Sequence, residues 1–538
     1  MLIDRFLQTL LLGFVFTSLL TILVSPVVVA LFRRQVTLSM NRAARGATTP
    51  STVSDSPTNS GGVPRSEAIT LIELDARSQK LGNGDVDNHA TFANAQLNRV
   101  VTGYVIATAV HAVVTTVFFF LSYGTEYLSG AIFLSALSVF CLPVIVTVTY
   151  LRATRLRVRL GLIALTVIVA LIFAGEKRAL MITVTQLHIV LPAFVFLIFN
   201  LRYWRSVAPM MVFIAAGISI GWLIGFQIGR PLSAPGSVEI WAFRLSGAVA
   251  GGWLGWRLLR WLSERYRSKT LSDEELFIDV WWALFTLFQT VLFVVQRGPW
   301  IVMYLPLAFT AYWTLRRHFL RDASRHVGDQ KPIHLLLLRV FGHDRRTERL
   351  LDEISQRWRF LGTIQMIAGR DLAARTIDPH ELFTFIGGGL SREFIKDPED
   401  LRKRVAAMDL RPDPDGRYRI NEFFCHQDTW QSVLNELVAH SDTVLMDLRG
   451  FDEKRLGCRY ELEQLARYVG EKPVVFLADR STKRILVAEI LQARAAQAST
   501  NASAVVRASF MLNTARTSGS EVKPLLLLLL GAKPRPAP

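Results

Sequence analysis

The side chains best placed to do chemistry lie in residues 442–469, DTVLMDLRGFDEKRLGCRYELEQLARYV, where a short apolar strand runs into a polar turn and an amphipathic helix. In an open α/β sheet, ligands bind outside the carboxyl ends of the strands. That rule singles out Asp447, Arg449 and Glu461. Asp447 and Arg449 read either as ligand contacts or as a structural ion pair. Glu461 reads either as a reactive carboxylate or as a first-turn residue favoured by the helix dipole. A second polar group, Phe341, Gly342, His343 and Asp344, follows the apolar run IHLLLLRVF at 333–341. Its His-Asp pair suits a phosphate or a helix cap. No GxxxxGK[ST], HExxH or GxGxxG occurs, and Cys141, Cys425 and Cys458 stand too far apart for a CxxC site. The sequence therefore offers no metal site and no signature of a P-loop ATPase, zinc protease or Rossmann enzyme.

The elements that must position these residues follow from composition. A 538-residue chain that is 51% hydrophobic and only 20% charged is too apolar for a soluble protein of several domains. Nine apolar stretches are candidate membrane spans, at 6–32, 101–121, 131–150, 160–174, 180–199, 207–228, 240–258, 276–295 and 300–315. Basic residues cluster in every second loop, which predicts the N-terminus outside and the C-terminal region in the cytoplasm of a bacterial-type inner membrane. The formal charge of +17 fits that bias, and without a groove-reading motif it does not point to nucleic acid. Residues 1–32 thus read as a first transmembrane helix and 33–99 as a polar, disordered cytoplasmic loop. Residues 100–315 read as an eight-helix bundle, 316–332 as a basic linker and 333–538 as a cytoplasmic domain. Within 33–99 the apolar patch 69–74 has no assigned partner.

Two spans repeat glycine every fourth residue, at Gly217, Gly221, Gly225 and Gly229 and at Gly247, Gly251 and Gly255. Such faces let helix backbones approach closely in lipid, which predicts a tight hairpin or, alternatively, a homo-oligomer contact; the cytoplasmic domain is a second candidate surface for self-association. Ionisable groups inside the spans are few: His111, His188, Arg244 and Asp279. A transporter with a regulatory domain would use them as a relay, whereas packing residues need no such path. Ser272 with Glu275 forms a capping box at the start of the eighth span, and Asp428 with Gln431 suggests another.

The cytoplasmic domain alternates apolar strands with helices, the pattern of a doubly wound, mostly parallel α/β sheet of flavodoxin type. Its strands are expected near 333–341, 363–368, 418–425, 443–448 and 473–478. The triplet Gly387, Gly388 and Gly389 reads as a helix break, 396–417 as a charged insertion, and the six leucines at 525–530 as a last helix or buried strand. Over roughly 333–480 the order of LLLLRVFGHDRR, TVLMDLRGF and GCRYELEQL resembles TIR domains, and Cys458 to Leu462 matches their C-x-x-E-L helix start. The first strand departs from the family's Ser-Tyr ending, Gly457 stands where a tryptophan is usual, and 396–417 has no counterpart. The resemblance implies a membrane-anchored signalling protein that binds a nucleotide such as NAD. In enzymatic members a glutamate at the Glu461 position serves NAD cleavage, in which a carboxylate can stabilise an oxocarbenium-like state. Non-catalytic members act as assembly modules.

Overall fold

The computed structural model describes residues 2–41, 69–75, 84–124, 129–152, 154, 156–185, 188–189, 207–232, 237–328, 331–339, 353–368, 379–469, 471–498, 507–513 and 519–531. Six helical stretches are long and apolar enough to cross a bilayer: Leu19–Met40, Asn88–Tyr123, Gly130–Leu151, Arg157–Lys177, Met211–Gly229 and Asp273–Val294. A chain carrying six such helices is a multi-pass membrane protein. Of the nine expected spans, 180–199 lies mostly outside the described residues. The span expected at 240–258 falls within the helix Val238–Arg267, and that at 300–315 starts in the 3-10 turn Pro299–Met303 and runs on into the helix Tyr304–Gly328; both helices are less apolar than the six. The second of these absorbs most of the expected linker at 316–332.

The glycine periodicity reports a real contact. Helix α1 (Ala208–Gly229) and helix α2 (Val238–Arg267) form a close hairpin in which Gly217, Gly221 and Gly225 face Gly251, Gly247 and the backbone of Phe243. A β-carbon on Gly221 would overlap the Gly247 carbonyl oxygen, and one on Gly251 would overlap that of Gly217. Both glycine faces are therefore spent within the chain.

Among the described residues, eight parallel strands form one sheet: β1 (Ile69–Asp75), β2 (Leu335–Arg339), β3 (Ile364–Ala368), β4 (Phe394–Ile395), β5 (Ile420–Cys425), β6 (Thr443–Asp447), β7 (Val474–Ala478) and β8 (Arg507–Asn513). Their spatial order is β1-β8-β7-β6-β2-β3-β5-β4. β1 comes from the polar stretch expected to be disordered. It pairs along its whole length with β8, from Ile69 opposite Arg507 to Asp75 opposite Asn513. β1, ITLIELD, is an edge strand of the sheet.

The two sheet faces bury different helices. Leu336, Leu338, Val444, Met446, Val474 and Phe476 pack with Leu434, Leu462 and Leu491 of helices α3 (Trp430–His440), α4 (Leu456–Leu465) and α5 (Arg484–Ala498). Leu335, Leu337, Leu445, Leu477 and Leu512 face the other way, toward Trp358, Leu361, Leu525, Leu526, Leu528 and Leu529. That second cluster continues without a break into the membrane bundle through Tyr104, Tyr266 and Tyr312. The leucine run is thus a buried helix, Gly519–Leu529, and the glycine triplet ends helix Pro379–Ile386, with Gly388 at φ +72°. The capping box at Ser272 and Glu275 is formed on helix α6 (Asp273–Arg297). The one expected at Asp428 is not: Thr429 is the N-cap residue of α3.

Candidate functional site

The reversal in strand order falls between β2 and β6, because the chain builds β3, β4 and β5 on one side of β2 and then crosses to the other. Such a switch point opens a crevice at the carboxyl ends of the two strands. Arg339 closes β2 opposite Asp447 of β6 in the backbone register. Phe341, Gly342, His343 and Asp344 lie outside the described residues. At the end of β6, Asp447 and Arg449 form a buried bidentate pair: Nε donates to Oδ1 at 2.8 Å and an Nη to Oδ2 at 2.7 Å. The Arg449 amide also donates to Oδ1 at 3.1 Å, so the short LRG turn is fastened to the strand it leaves. Side chains alternate along a strand. Leu445 faces the bundle side while Val444 and Met446 face α3 to α5, so Asp447 leaves β6 on the bundle side.

Glu461 is placed differently. It lies on α4, whose Cys458, Leu462 and Leu465 pack with Val444 and Met446 on the opposite face of the sheet. The sequence-predicted trio is therefore split, with Asp447 joined to Arg449 and Glu461 apart. Glu461 is 4% exposed, and its Oε2 has no hydrogen-bond partner among the described residues. Burial pushes its pKa up to about 8, because nothing nearby compensates the lost hydration of the charged form. At neutral pH it is mostly a neutral acid.

The densest polar cluster is one that sequence reasoning missed, at the junction of bundle and sheet. The end of the expected insertion and the start of the strand expected at 418–425 read RPDPDGRYR, residues 411–419, which folds back against the turn between α2 and α6. Arg359 bonds Asp273 at 2.7 Å and the Tyr418 carbonyl at 2.6 Å, and Tyr266 donates its hydroxyl to Asp273 at 2.6 Å. Arg417 reaches Glu274 at 3.2 Å. Arg419 binds Asp413 at 3.0 Å, donates to the carbonyls of Tyr266 and Leu271, and stacks on the Tyr266 ring. Lys269, at φ +56°, pairs with Asp409 at 2.6 Å and also contacts the Arg411 carbonyl. Gly416, at φ +82°, sits against Val327 and Ala323 at the end of the helix Tyr304–Gly328. Burial pushes Asp413 up to about 7 despite the Arg419 guanidinium.

A second tier lies just above. Arg316 bridges Glu275 at 2.6 Å and Asp279 at 2.9 Å, and Tyr312 donates to Asp279 at 2.8 Å. Glu275 thereby serves both the capping box and the ion pair. The chain's first helix (Leu2–Met40) is held separately: the His426 Nδ1–H donates to the Ser39 carbonyl at 2.7 Å and the Gln427 amide to that of Met40 at 3.2 Å. Capping terminal helix carbonyls with donors from the turn between β5 and α3 fixes this helix against the sheet. The turn residues Pro412, Pro414 and Gly416 signal a loop in the sequence, but nothing local says what it docks against.

His111 and His188, both buried in the bundle, are hydrogen-bonded within it. His111 Nε2 meets Thr286 Oγ1 at 2.8 Å; that hydroxyl already donates to the Trp282 carbonyl, so the imidazole donates from Nε2. His188 donates from Nδ1 to Gln289 Oε1 at 2.5 Å and accepts at Nε2 from Tyr123 at 3.0 Å. The Arg244 guanidinium stands over the rings of Phe226, Trp241 and Trp222. Among the described residues no group of three or more His, Cys, Asp or Glu could hold a metal ion. Comparison with family models, curated proteins and solved structures returns no match, so the fold and the junction stand on the chain's own geometry.

Proposed function

We propose that the chain is a membrane sensor or signalling protein whose α/β domain binds a nucleotide such as NAD where β2 and β6 end. The supporting observation is strand order. Taken alone, β3-β2-β6-β7-β8 runs 2-1-3-4-5, the order of flavodoxin- and TIR-like sheets, with β5 and β4 added on one flank and β1 on the other. Asp447 and Arg449 stand at the switch point of that order. Binding is better supported than cleavage, because Glu461 is buried, protonated near neutrality and directed to the other face. The junction gives a route by which motion in the bundle reaches the sheet, which favours signalling over a free-standing assembly module. Transport has less support, since His111 and His188 are spent in local hydrogen bonds and aromatic packing.

Titrating the full chain in nanodiscs with NAD tests the reading. Saturable binding is expected, weakened about tenfold or more by Arg449→Met, as for loss of a charge-assisted bond. No saturable binding by the wild type would sink it. Nicotinamide release that disappears in Glu461→Gln would establish the enzyme instead.

We further read nine crossings with the sheet in the cytoplasm. Because β1 and β8 are hydrogen-bonded neighbours, the chain between Asp75 and Leu335 crosses the bilayer an even number of times. Five of the six apolar helices lie in that interval, an odd number. Adding α2, the helix Tyr304–Gly328 and the stretch 180–199 makes eight. Reporters placed in 76–83 and after Pro538 should both read cytoplasmic, and opposite signals would overturn the count.

A further inference from the structure

One exposed face of α2 carries a repeat that the nucleotide reading does not use. Trp253, Arg257, Trp261 and Arg265 recur every fourth residue and so line one side of the helix, over about 18 Å of its length. The Arg257 guanidinium lies 5.3 Å from the Trp253 ring centre and that of Arg265 5.0 Å from Trp261. On the adjacent stripe Arg260 lies 5.4 Å from Trp256. The other side of the helix, with Gly255, Leu259, Leu262 and Tyr266, is buried in the protein. None of the three arginines forms an ion pair with a carboxylate among the described residues.

We propose that this face binds the headgroup of an anionic phospholipid in the leaflet on the sheet side. Three features select that occupant. Stacking on an indole face leaves the in-plane N–H donors of a guanidinium free for two phosphate oxygens. Three arginines, none ion-paired, against the single carboxylate Glu264 within about two turns leave a net positive charge that favours an anionic over a zwitterionic headgroup. Directly above the ladder Leu245 and Val249 are 56% and 73% exposed, and Leu254 beside its first residue is 64% exposed, an apolar track for acyl chains that a soluble anion would not need. Exposed tryptophans at this level are the usual membrane-interface anchors. The leaflet follows from the chain: α2 runs on into Lys269, which is bonded to Asp409 of the α/β domain. The lipid would sit within one helical turn of Tyr266, whose hydroxyl holds Asp273 at the junction.

The test uses the full chain in phosphatidylcholine nanodiscs doped with brominated phosphatidylglycerol or, separately, brominated phosphatidylcholine, reading quenching of tryptophan fluorescence. The expected preference for phosphatidylglycerol is roughly 100-fold, from three basic residues near the surface. It should collapse toward parity in the Arg257→Gln, Arg260→Gln, Arg265→Gln triple variant. Retained circular dichroism shows that variant folded, and the triple lysine variant should keep a reduced preference through charge alone. Equal quenching by both lipids in the wild type overturns the proposal. So does a preference unchanged in the glutamine variant, or displacement of the lipid by millimolar inorganic phosphate, which would assign the cluster to a soluble anion.

Discussion

Replacing Glu461 by glutamine should stabilise the α/β domain at neutral pH. The carboxyl group is almost wholly buried, and burial raises its pKa from the ordinary 4.5 to about 8. An acid whose pKa is raised on folding holds its proton more tightly in the folded state. Its contribution is therefore fully present below about pH 4.5, is lost as pH rises, and is gone above about pH 8. Each pH unit in that window costs about 1.36 kcal/mol, so the wild type forfeits about 3 kcal/mol by pH 7 and about 5 kcal/mol above pH 8. Glutamine keeps the shape and a hydrogen-bond donor but cannot ionise. Hydrogen exchange of peptides from β6, α4 and β7 in the full chain, converted to opening free energies at pH 5.5 and 8.5, reads the difference locally. The wild type should lose about 3 kcal/mol of protection between those values and the variant little. Parallel losses in the two proteins would show that Glu461 is not the buried acid described here. Any nicotinamide release that needs the Glu461 carboxylate would also have to climb with pH toward 8.

The glycine hairpin offers an internally controlled test. Gly161, on the helix Leu156–Ala174, has open space where a β-carbon would stand, so Gly161→Ala should stabilise by up to about 1 kcal/mol through helix propensity. Gly221→Ala makes the same chemical change against the Gly247 carbonyl and should lower stability in detergent by about 1–3 kcal/mol; equal thermal midpoints for the two variants would refute the close approach. At the junction, Asp273→Asn and Arg359→Met should each cost about 3 kcal/mol by leaving a buried charge unmatched, whereas the double variant should cost clearly less than their sum. A cycle that closes additively would mean the pair is not coupled.

Much of the local structure is legible in the chain because its causes are local. Continuous apolar runs become strands buried on both faces, and Ser272 with Glu275 makes its capping box within a single turn. Glycine every fourth residue can mean only a helix face meant for close contact, and α1 and α2 meet there. Local patterns fail where the partner is distant. The apolar patch at 69–74 stands out in its polar stretch, yet the strand it joins lies at 507–513. Arg359 and Asp273 are 86 residues apart, and the charges of 411–419 look like a solvated insertion until the α2–α6 turn lies against them. Asp447 and Glu461, neighbours in one strand-turn-helix unit, are divided by the two-residue period of β6 and by the helix crossing over one face of the sheet. The sequence by itself determined the membrane character, most of the helices and central strands, and the capping box at Ser272. Tertiary structure alone decided which strands adjoin, which charges are buried together and that the Glu461 carboxyl is held largely neutral, because those depend on contacts and desolvation that no stretch of chain carries within itself.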